Sequence, residues 1–448
     1  MTLAILFDLD NTLASTKSLE AVRLGQCKWA DLPAETLATI KPYPKVPRLI
    51  ETLCELGIKL GVVTNSPKRY CIPLLEHLGL KKYFETIITY DDVLGAIKPN
   101  PKGITLALEN LGVAPHPLHL YFGDDLNDVA AAYRAGITPV LGSWGSRTPV
   151  NTTPALILSS SDVISYCSAP TKFQLCAEVY AANSALNKPQ PPELSDLYFL
   201  GLNLDGHCVT MRNEVSVLAL GRYFSQKSVT TARHHDEHDL SKHIEKKSSE
   251  IPFAIPKYWV DLFAELITKL PKNKISIDYV TIIPSKPEDE DKRMERFLGQ
   301  IEAQYRLANP DSKILFKSDA LQFCAGAKKM KTLGYEARQE EVNKSLHLGN
   351  SGALTGKSVL VIDDVTTSLA TIRRAHALFT EAGANHVLGI VLAKTVSIQE
   401  DHKECPSCGR LMRIRRNNKD NSRFWGCSGY FEQDANGNRA CTTTLSIT

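Results

Sequence analysis

Two acidic patterns in this 448-residue chain have the residue types and spacing for phosphate chemistry. Near the start, Phe7-Asp8-Leu9-Asp10-Asn11-Thr12-Leu13 sets two carboxylates at the end of an apolar run. Such a pair can hold a magnesium ion against a phosphoryl group, with one carboxylate attacking phosphorus while the other moves the proton. Far downstream, an apolar run from Val359 ends in adjacent Asp363 and Asp364, and a hydroxyl-rich turn of Thr366, Thr367, Ser368 and Thr371 follows at the start of a helix. Amides and hydroxyls at a helix N-terminus suit a phosphate dianion, and the two carboxylates suit ribose hydroxyls and, through them, magnesium.

The elements that position these residues alternate. Strands are expected at Leu3–Phe7, Lys59–Thr64, Thr86–Thr89, Leu118–Phe122 and Thr138–Val140, with helices between them ending near Gly57, Gly79, Gly112 and Gly136. That alternation predicts a parallel sheet covered on both faces, with Asp8 and Asp10 leaving a strand where open α/β sheets place ligands. Further strands end in Thr64 and Asn65, a hydroxyl and amides for phosphate, and in Gly123-Asp124-Asp125-Leu126-Asn127-Asp128, more carboxylates for magnesium. Lys98 adds a fixed positive charge against the developing phosphorane.

In this order the four segments resemble the haloacid dehalogenase superfamily of phosphohydrolases, over about residues 1–168. The resemblance implies a Rossmann-like domain in which Asp8 is the nucleophile and Asp10 the general acid/base. Thr64, Asn65 and Lys98 then hold the phosphoryl group, and Asp8, Asp10, Asp124 and Asp128 surround magnesium, with Asp125 a further candidate. The insert from Ala14 to about Pro44 implies a small helical cap and a fairly open pocket.

The second pattern resembles the phosphoribosyl-pyrophosphate motif of type I phosphoribosyltransferases, closest to the competence-protein F group, over roughly residues 200–398. Ser368 stands where a glycine is usual. By the resemblance, Asp363, Asp364, Thr366, Thr367, Ser368 and Thr371 bind phosphoribosyl pyrophosphate, and the segment with Ser285 and Lys286 meets its pyrophosphate. Chemistry at the anomeric carbon needs charge neutralisation around departing pyrophosphate, for which Ser285, Lys286, Arg296, Lys331 and Arg338 are the candidates.

Cys405-Pro-Ser-Cys408, Cys427 and Cys441 fit a tetrahedral structural zinc site. With Arg423-Phe-Trp-Gly-Cys427 they resemble the zinc ribbons of bacterial type IA topoisomerases. Arg413, Arg415, Arg416 and Arg423 beside Trp425 combine cations for phosphate with an aromatic for base stacking, which suits a single-stranded nucleic acid; a protein partner is the other expectation. His234, His235, His238 and His243 fall in a polar stretch, Ser225 to Glu250, expected to be a mobile solvated loop.

Length and composition bound the rest. Hydrophobic content of 43%, charge content of 23% and a net charge of +3 are those of a soluble multidomain globular protein, not of a nucleic-acid binder by bulk charge. No run approaches the roughly 20 apolar residues of a membrane span, and no targeting segment is visible. Scattered single cysteines predict reduced thiols in the cytoplasm. The expected layout is an α/β multidomain chain: a phosphohydrolase at 1–168, a linker at 169–195 stiffened by Lys188-Pro-Gln-Pro-Pro192, a phosphoribosyltransferase-like domain at 196–398 and a ribbon at 403–448. The expected function is a bifunctional enzyme of nucleotide or nucleic-acid metabolism, pairing phosphate monoester hydrolysis with phosphoribosyl transfer or its reverse. The alternative is a regulatory or stress- or phage-response effector in which the central domain senses a nucleotide and the ribbon binds nucleic acid or a protein complex.

Overall fold

A computed structural model describes residues 2–145, 152–190, 198–209, 212–226, 228–271, 275–327, 335–398, 405–410, 412–417, 422–431 and 439–446. The first sheet contains β1 (Ala4–Phe7), β2 (Lys59–Val63), β3 (Thr86–Ile88), β4 (Leu120–Gly123), β5 (Thr138–Gly142) and β6 (Leu156–Leu158). Its order is β3-β2-β1-β4-β5-β6, and every pairing is parallel. The chain runs outward from β1 to β3 and returns to β4 on the other side of β1. That reversal opens a crevice between the ends of β1 and β4. β1 is buried on both faces: Ile5 and Phe7 join one core, Ala4 and Leu6 the other. β6 was not foreseen; its Leu156-Ile157-Leu158 is too short to show a period.

Between β1 and β2 the insert is helical, as expected for a small cap. It holds single turns at Lys17–Leu19 and Trp29–Asp31 and short helices at Glu20–Arg23 and Ala34–Thr39. Leu19 and Val22 anchor it to the core below.

The second sheet joins β7 (Leu200–Leu202), β8 (Val217–Ala219), β9 (Arg222–Phe224), β10 (Tyr279–Ile282), β11 (Leu315–Phe316), β14 (Ser358–Thr366) and β15 (His386–Val396). The order is β11-β10-β14-β15-β8-β7, with β9 also on β15. Only β7 is antiparallel, to β8. β12 (Leu321–Phe323) and β13 (Leu346–Leu348) form a separate antiparallel pair. β14 feeds two cores by strict alternation: Leu360 and Ile362 on one face, Val359 and Val361 on the other. In the tail, β16 (Met412–Arg416), β17 (Arg423–Cys427) and β18 (Thr444–Ser446) make a small antiparallel sheet.

Two expectations need correction. The stretch 169–195 is not a linker over its described part. It carries a turn at Pro170–Phe173 and a helix, Cys176–Ala185, whose Cys176, Ala177 and Tyr180 are buried in the core of the second sheet. Apolar residues at 176, 177, 180 and 181 supply the buried stripe that a spacer would lack. Nor is Ser225 to Glu250 a mobile loop: it folds into helices Val229–Glu237 and Asp239–Lys246, the first capped by Ser228. Its histidines serve packing, with His235 buried and His234 stacked on Phe224.

The two α/β units share one core. Val129, Ala130, Tyr133, Leu141 and Ile157 of the first are contiguous with Leu200, Val217, Phe224 and Val391 of the second. Polar bonds reinforce the joint: Thr153 donates to the Thr395 carbonyl and Thr152 to that of Ser397. No helix among the described residues is long and apolar enough to cross a membrane.

Candidate active sites and the cysteine cluster

The ends of β1 and β4 build the first site. Asp8 directly follows β1, and Asp124 follows Gly123, the last residue of β4. Asp125 caps the helix Leu126–Ala135, accepting from the amides of Asn127 and Asp128. Asp128 folds back over that turn and accepts from the amides of Asp124 and Asp125. Only glycine permits this at position 123, because a Cβ there would lie 2.2 Å from the Asp128 Cβ. Lys98 closes the arrangement: its Nζ is 2.5 Å from Asp8 Oδ1, 2.6 Å from Asp128 Oδ1 and 2.8 Å from the Tyr121 hydroxyl.

Asp8, Lys98, Tyr121, Asp124 and Asp128 are buried, so charge among them is poorly screened. Burial pushes Asp8 well above the usual carboxylate range against the pull of Lys98, and Asp128 and Asp10 add to the rise. Burial, then Asp128 and Asp125, push Asp124 up to about 7. Burial alone would lower Lys98; Asp128 and Asp8 instead hold it well above its ordinary value. Oxygens of Asp8, Asp124 and Asp128 all lie within 4.8 Å of one another. Asp10 is not in that trio. Its two oxygens accept from the Tyr70 hydroxyl and Ser66 Oγ, each at 2.6 Å, while it lines the same cleft as the trio. Asp125 likewise is spent on its helix cap.

Thr64 and Asn65 line the same open cleft, about 590 Å³ in volume, as Asp8, Asp10 and Lys98. The Asn65 side chain also bonds both the backbone N–H and the carbonyl of Lys98, which fixes the loop that delivers the lysine. Tyr70, Ser66 and Tyr121 were missed in the sequence. Ser66 follows Thr64-Asn65 directly and so carried a signal. The tyrosines sit at ordinary core positions and carried none.

At the second site β14 continues through Thr366, so Asp363 and Asp364 lie within the strand and not beyond its end. The turn Thr366–Leu369 leads into the helix Ala370–Glu381; Thr366 Oγ1 accepts the Leu369 amide, and Leu369 takes a left-handed φ of 56°. Thr371 donates to Asp363 Oδ2 at 3.2 Å. Thr367 is exposed, and Ser368 is half-buried beside it. Asp364 Oδ2 is bound by Arg293 at 2.8 Å and Lys247 at 3.0 Å. Burial opposes ionisation of Asp364, but Lys247 and Arg293 bring it down to about 2. Burial and Asp364 push Asp363 up to about 7.

The expected neutralising groups are only partly where expected. Arg293 and Lys247, not Arg296, reach the acidic pair; Arg296 is committed to Asp291 at 2.5 Å and to the Phe253 carbonyl. Lys286 donates to the Ala327 carbonyl, and Ser285 accepts the Met294 amide at the start of helix Arg293–Ala308. Arg338 lies on the helix Tyr335–Ser345, and burial lowers its guanidinium from its ordinary value. Lys331 lies outside the described residues.

In the tail, sulfurs of Cys405, Cys408, Cys427 and Cys441 all fall within 4.8 Å of one another. The pairs Cys405–Cys441 and Cys408–Cys427 are 3.6 and 3.4 Å apart, too far for disulfides. Trp425 packs against this cluster with Leu445. Arg415 bonds the Cys427 carbonyl and lies 5.8 Å from the Tyr430 ring. Both therefore serve the small fold itself. The side chains of Arg413, Arg416 and Arg423 lie outside the described residues.

Comparison with known proteins bears on the first site. Residues 28–141 match the family described as haloacid dehalogenase-like hydrolase. The phosphoglycolate phosphatase of Escherichia coli (strain K12) is 39% identical over 122 residues, which are 27% of this chain and 46% of that protein. The phosphoglycolate phosphatase of Salmonella paratyphi A is 38% identical over the same shares. The chain thus spans about half the length of the curated relatives it matches. A solved hydrolase of the superfamily from Ehrlichia chaffeensis overlaps 38% of this chain and 98% of its own at 22% identity and a TM-score of 0.29, a likeness too loose to carry an argument.

Proposed function

We propose that the N-terminal region, a haloacid dehalogenase-like hydrolase domain, removes phosphate from a phosphomonoester with magnesium through a phosphoryl group carried on Asp8. The observation that carries this reading is the single buried cluster in which Lys98 Nζ bridges Asp8 and Asp128 while Asp10 is held separately by Tyr70 and Ser66. One carboxylate is thereby kept for attack and another for proton transfer. The phosphatase names of the relatives support the same class.

Three crowded carboxylates, with Asp124 raised to about 7, fit a divalent cation. Asp8, Asp124 and Asp128 would hold magnesium, which would supply positive charge to the phosphoryl group. The protein's own side chains do the rest. An Asp8 oxygen attacks phosphorus as the bond to the ester oxygen breaks. Asp10 gives its proton to that oxygen and later takes one from the water that releases phosphate from Asp8. Lys98 and the Thr64 hydroxyl stabilise the charge that builds on the transferring group. Asp8→Asn in the full chain should abolish hydrolysis of an aryl phosphate without changing the melting profile; retained hydrolysis would overturn the nucleophile assignment.

For the central domain we propose a type I phosphoribosyltransferase-like fold that takes phosphoribosyl pyrophosphate or a nucleotide, with a zinc ribbon behind it that engages nucleic acid or a protein partner in the cytoplasm. Support comes from Asp363, Asp364, Thr366 and Thr371 meeting in one strand-turn-helix unit. A sensor without turnover has its own support, because Asp364 is already ion-paired to Arg293 and Lys247. Pyrophosphate release from phosphoribosyl pyrophosphate, lost in Asp363→Asn, marks an enzyme. Thermal stabilisation by that ligand without release marks a sensor.

A further inference from the structure

The first cleft is electrically lopsided. Its floor holds Asp8, Asp10, Asp124, Asp125 and Asp128 around one lysine, while Arg23 of the cap and Arg69 lie on its rim. The two arginines are held together: Arg69 Nη2 donates to the Arg23 carbonyl at 3.3 Å. Gly25 makes room for that contact. It takes a left-handed φ of +79°, and a Cβ there would lie 2.6 Å from Arg69 Nη2. Among the described residues neither guanidinium is ion-paired with a carboxylate, whereas Arg48, Lys59 and Lys81 elsewhere in the domain are.

Their place relative to the chemistry is fixed by Tyr70. This residue follows Arg69 in the helix Lys68–His77 and donates to Asp10, the proposed proton donor to the leaving oxygen. Arg23 is near enough for its charge to act on the Tyr70 hydroxyl. Thr64, Lys98 and Asp8 lie on the side of the transferring phosphoryl group. The alcohol half of a bound ester, which begins at Asp10, therefore extends toward Arg23 and Arg69.

We propose that Arg23 and Arg69 form a second anion subsite, so that the ester taken by this domain carries a carboxylate or a further phosphate on its alcohol half. The proposal rests on the phosphatase reading for its orientation. Guanidinium forks suit either anion.

The test measures binding by calorimetry to full-length Asp8→Asn protein in magnesium chloride, with ethyl phosphate, 2-phosphoglycolate and ethylene glycol bisphosphate. These ligands differ only in what the alcohol half carries. One or both anion-bearing ligands should bind about ten- to hundredfold more tightly than ethyl phosphate. Adding Arg23→Gln and Arg69→Gln should erase that advantage. Arg48→Gln, which removes the same charge from a helix outside the cleft, should keep it. Equal affinities, no measurable binding, or an advantage that survives the double substitution would overturn the subsite. Turnover of the three esters by the unsubstituted protein tests the phosphatase reading separately. A binding preference without hydrolysis defeats that reading and leaves the subsite standing.

Discussion

Tyr133 and Arg222 belong to different α/β units, and their side chains meet: Arg222 Nη1 donates to the Tyr133 hydroxyl at 3.2 Å. Tyr133 is on the helix whose first turn carries Asp128, so the joint touches the element that brings Asp128 to the first site. Arg222 is itself gripped by Glu178, through Nε and Nη2 at 2.8 Å each and through its backbone N–H. Arg233 and His234 add bonds to the Tyr133 carbonyl.

Arg222→Ala would leave Glu178 largely buried with only His238 beside it. Loss of one partner from such a pair costs about 3–5 kcal/mol. Denaturant unfolding should show that loss in both α/β units together, because they share a core. A shift confined to one unit, with the other unchanged, would mean that the joint does not couple them.

The same joint predicts acid sensitivity. Burial opposes the Glu178 carboxylate, but Arg222 and His238 hold its pKa well below the ordinary 4.5. Burial brings His234 from 6.5 down to about 4. Both groups bind protons more readily in the unfolded chain, so stability falls as pH falls. The His234 contribution is complete above 6.5 and is lost down to about 4; that of Glu178 is complete above 4.5 and is lost below it. Asp124 and Asp363, both raised to about 7, act in the opposite direction over the same range, so the joint is read by difference. From pH 7 to pH 4 the denaturation midpoint of the parent should fall relative to that of His234→Phe, and a constant difference between the two would refute the assignment.

Lys98 faces two buried carboxylates, so its removal has two separable effects. Lys98→Ala should lower hydrolysis at least about a hundredfold, the scale for losing a fixed charge at a transition state. Without magnesium it should also destabilise the fold, and magnesium should restore part of that loss by neutralising the same carboxylates. Activity within tenfold of the parent, or a stability loss that magnesium does not change, would argue against this arrangement.

How much of this was legible depends on the range of each signal. Asp8, Thr64 and Asp124 could be read because each directly follows an apolar strand, and the strands β1 to β5 fall within a few residues of their expected limits; Lys98, past β3 and the helix Tyr90–Val93, was legible only through the order of the four segments. Asp10 could be found but not its orientation, which depends on Tyr70, 60 residues away. Arg293 and Lys247 were missed at Asp364 for the same reason: nothing local marks a cation that folds onto a carboxylate 71 or more residues downstream. The helix Cys176–Ala185 was hidden by flanking polar and proline-rich sequence, although its own apolar spacing was present. The polar helices after Ser225 owe their order to contacts with Phe224 and Tyr133. Composition alone therefore read them as a loop.

The tail offers the last prediction. Among the described residues its core is Cys405, Met412, Cys427 and Cys441, with Cys408, Trp425 and Leu445 against them, which is too small to order the segment unaided. Four sulfurs within 4.8 Å and no disulfide are what zinc requires, and binding would then supply the folding free energy. The full chain purified without chelator should carry one zinc ion. Its removal should expose these thiols to a thiol reagent and the tail to protease, while the melting of the two α/β units stays put, since their cores contain no described tail residue. Equal protease resistance with and without the metal would show that the cysteines cluster for some other reason.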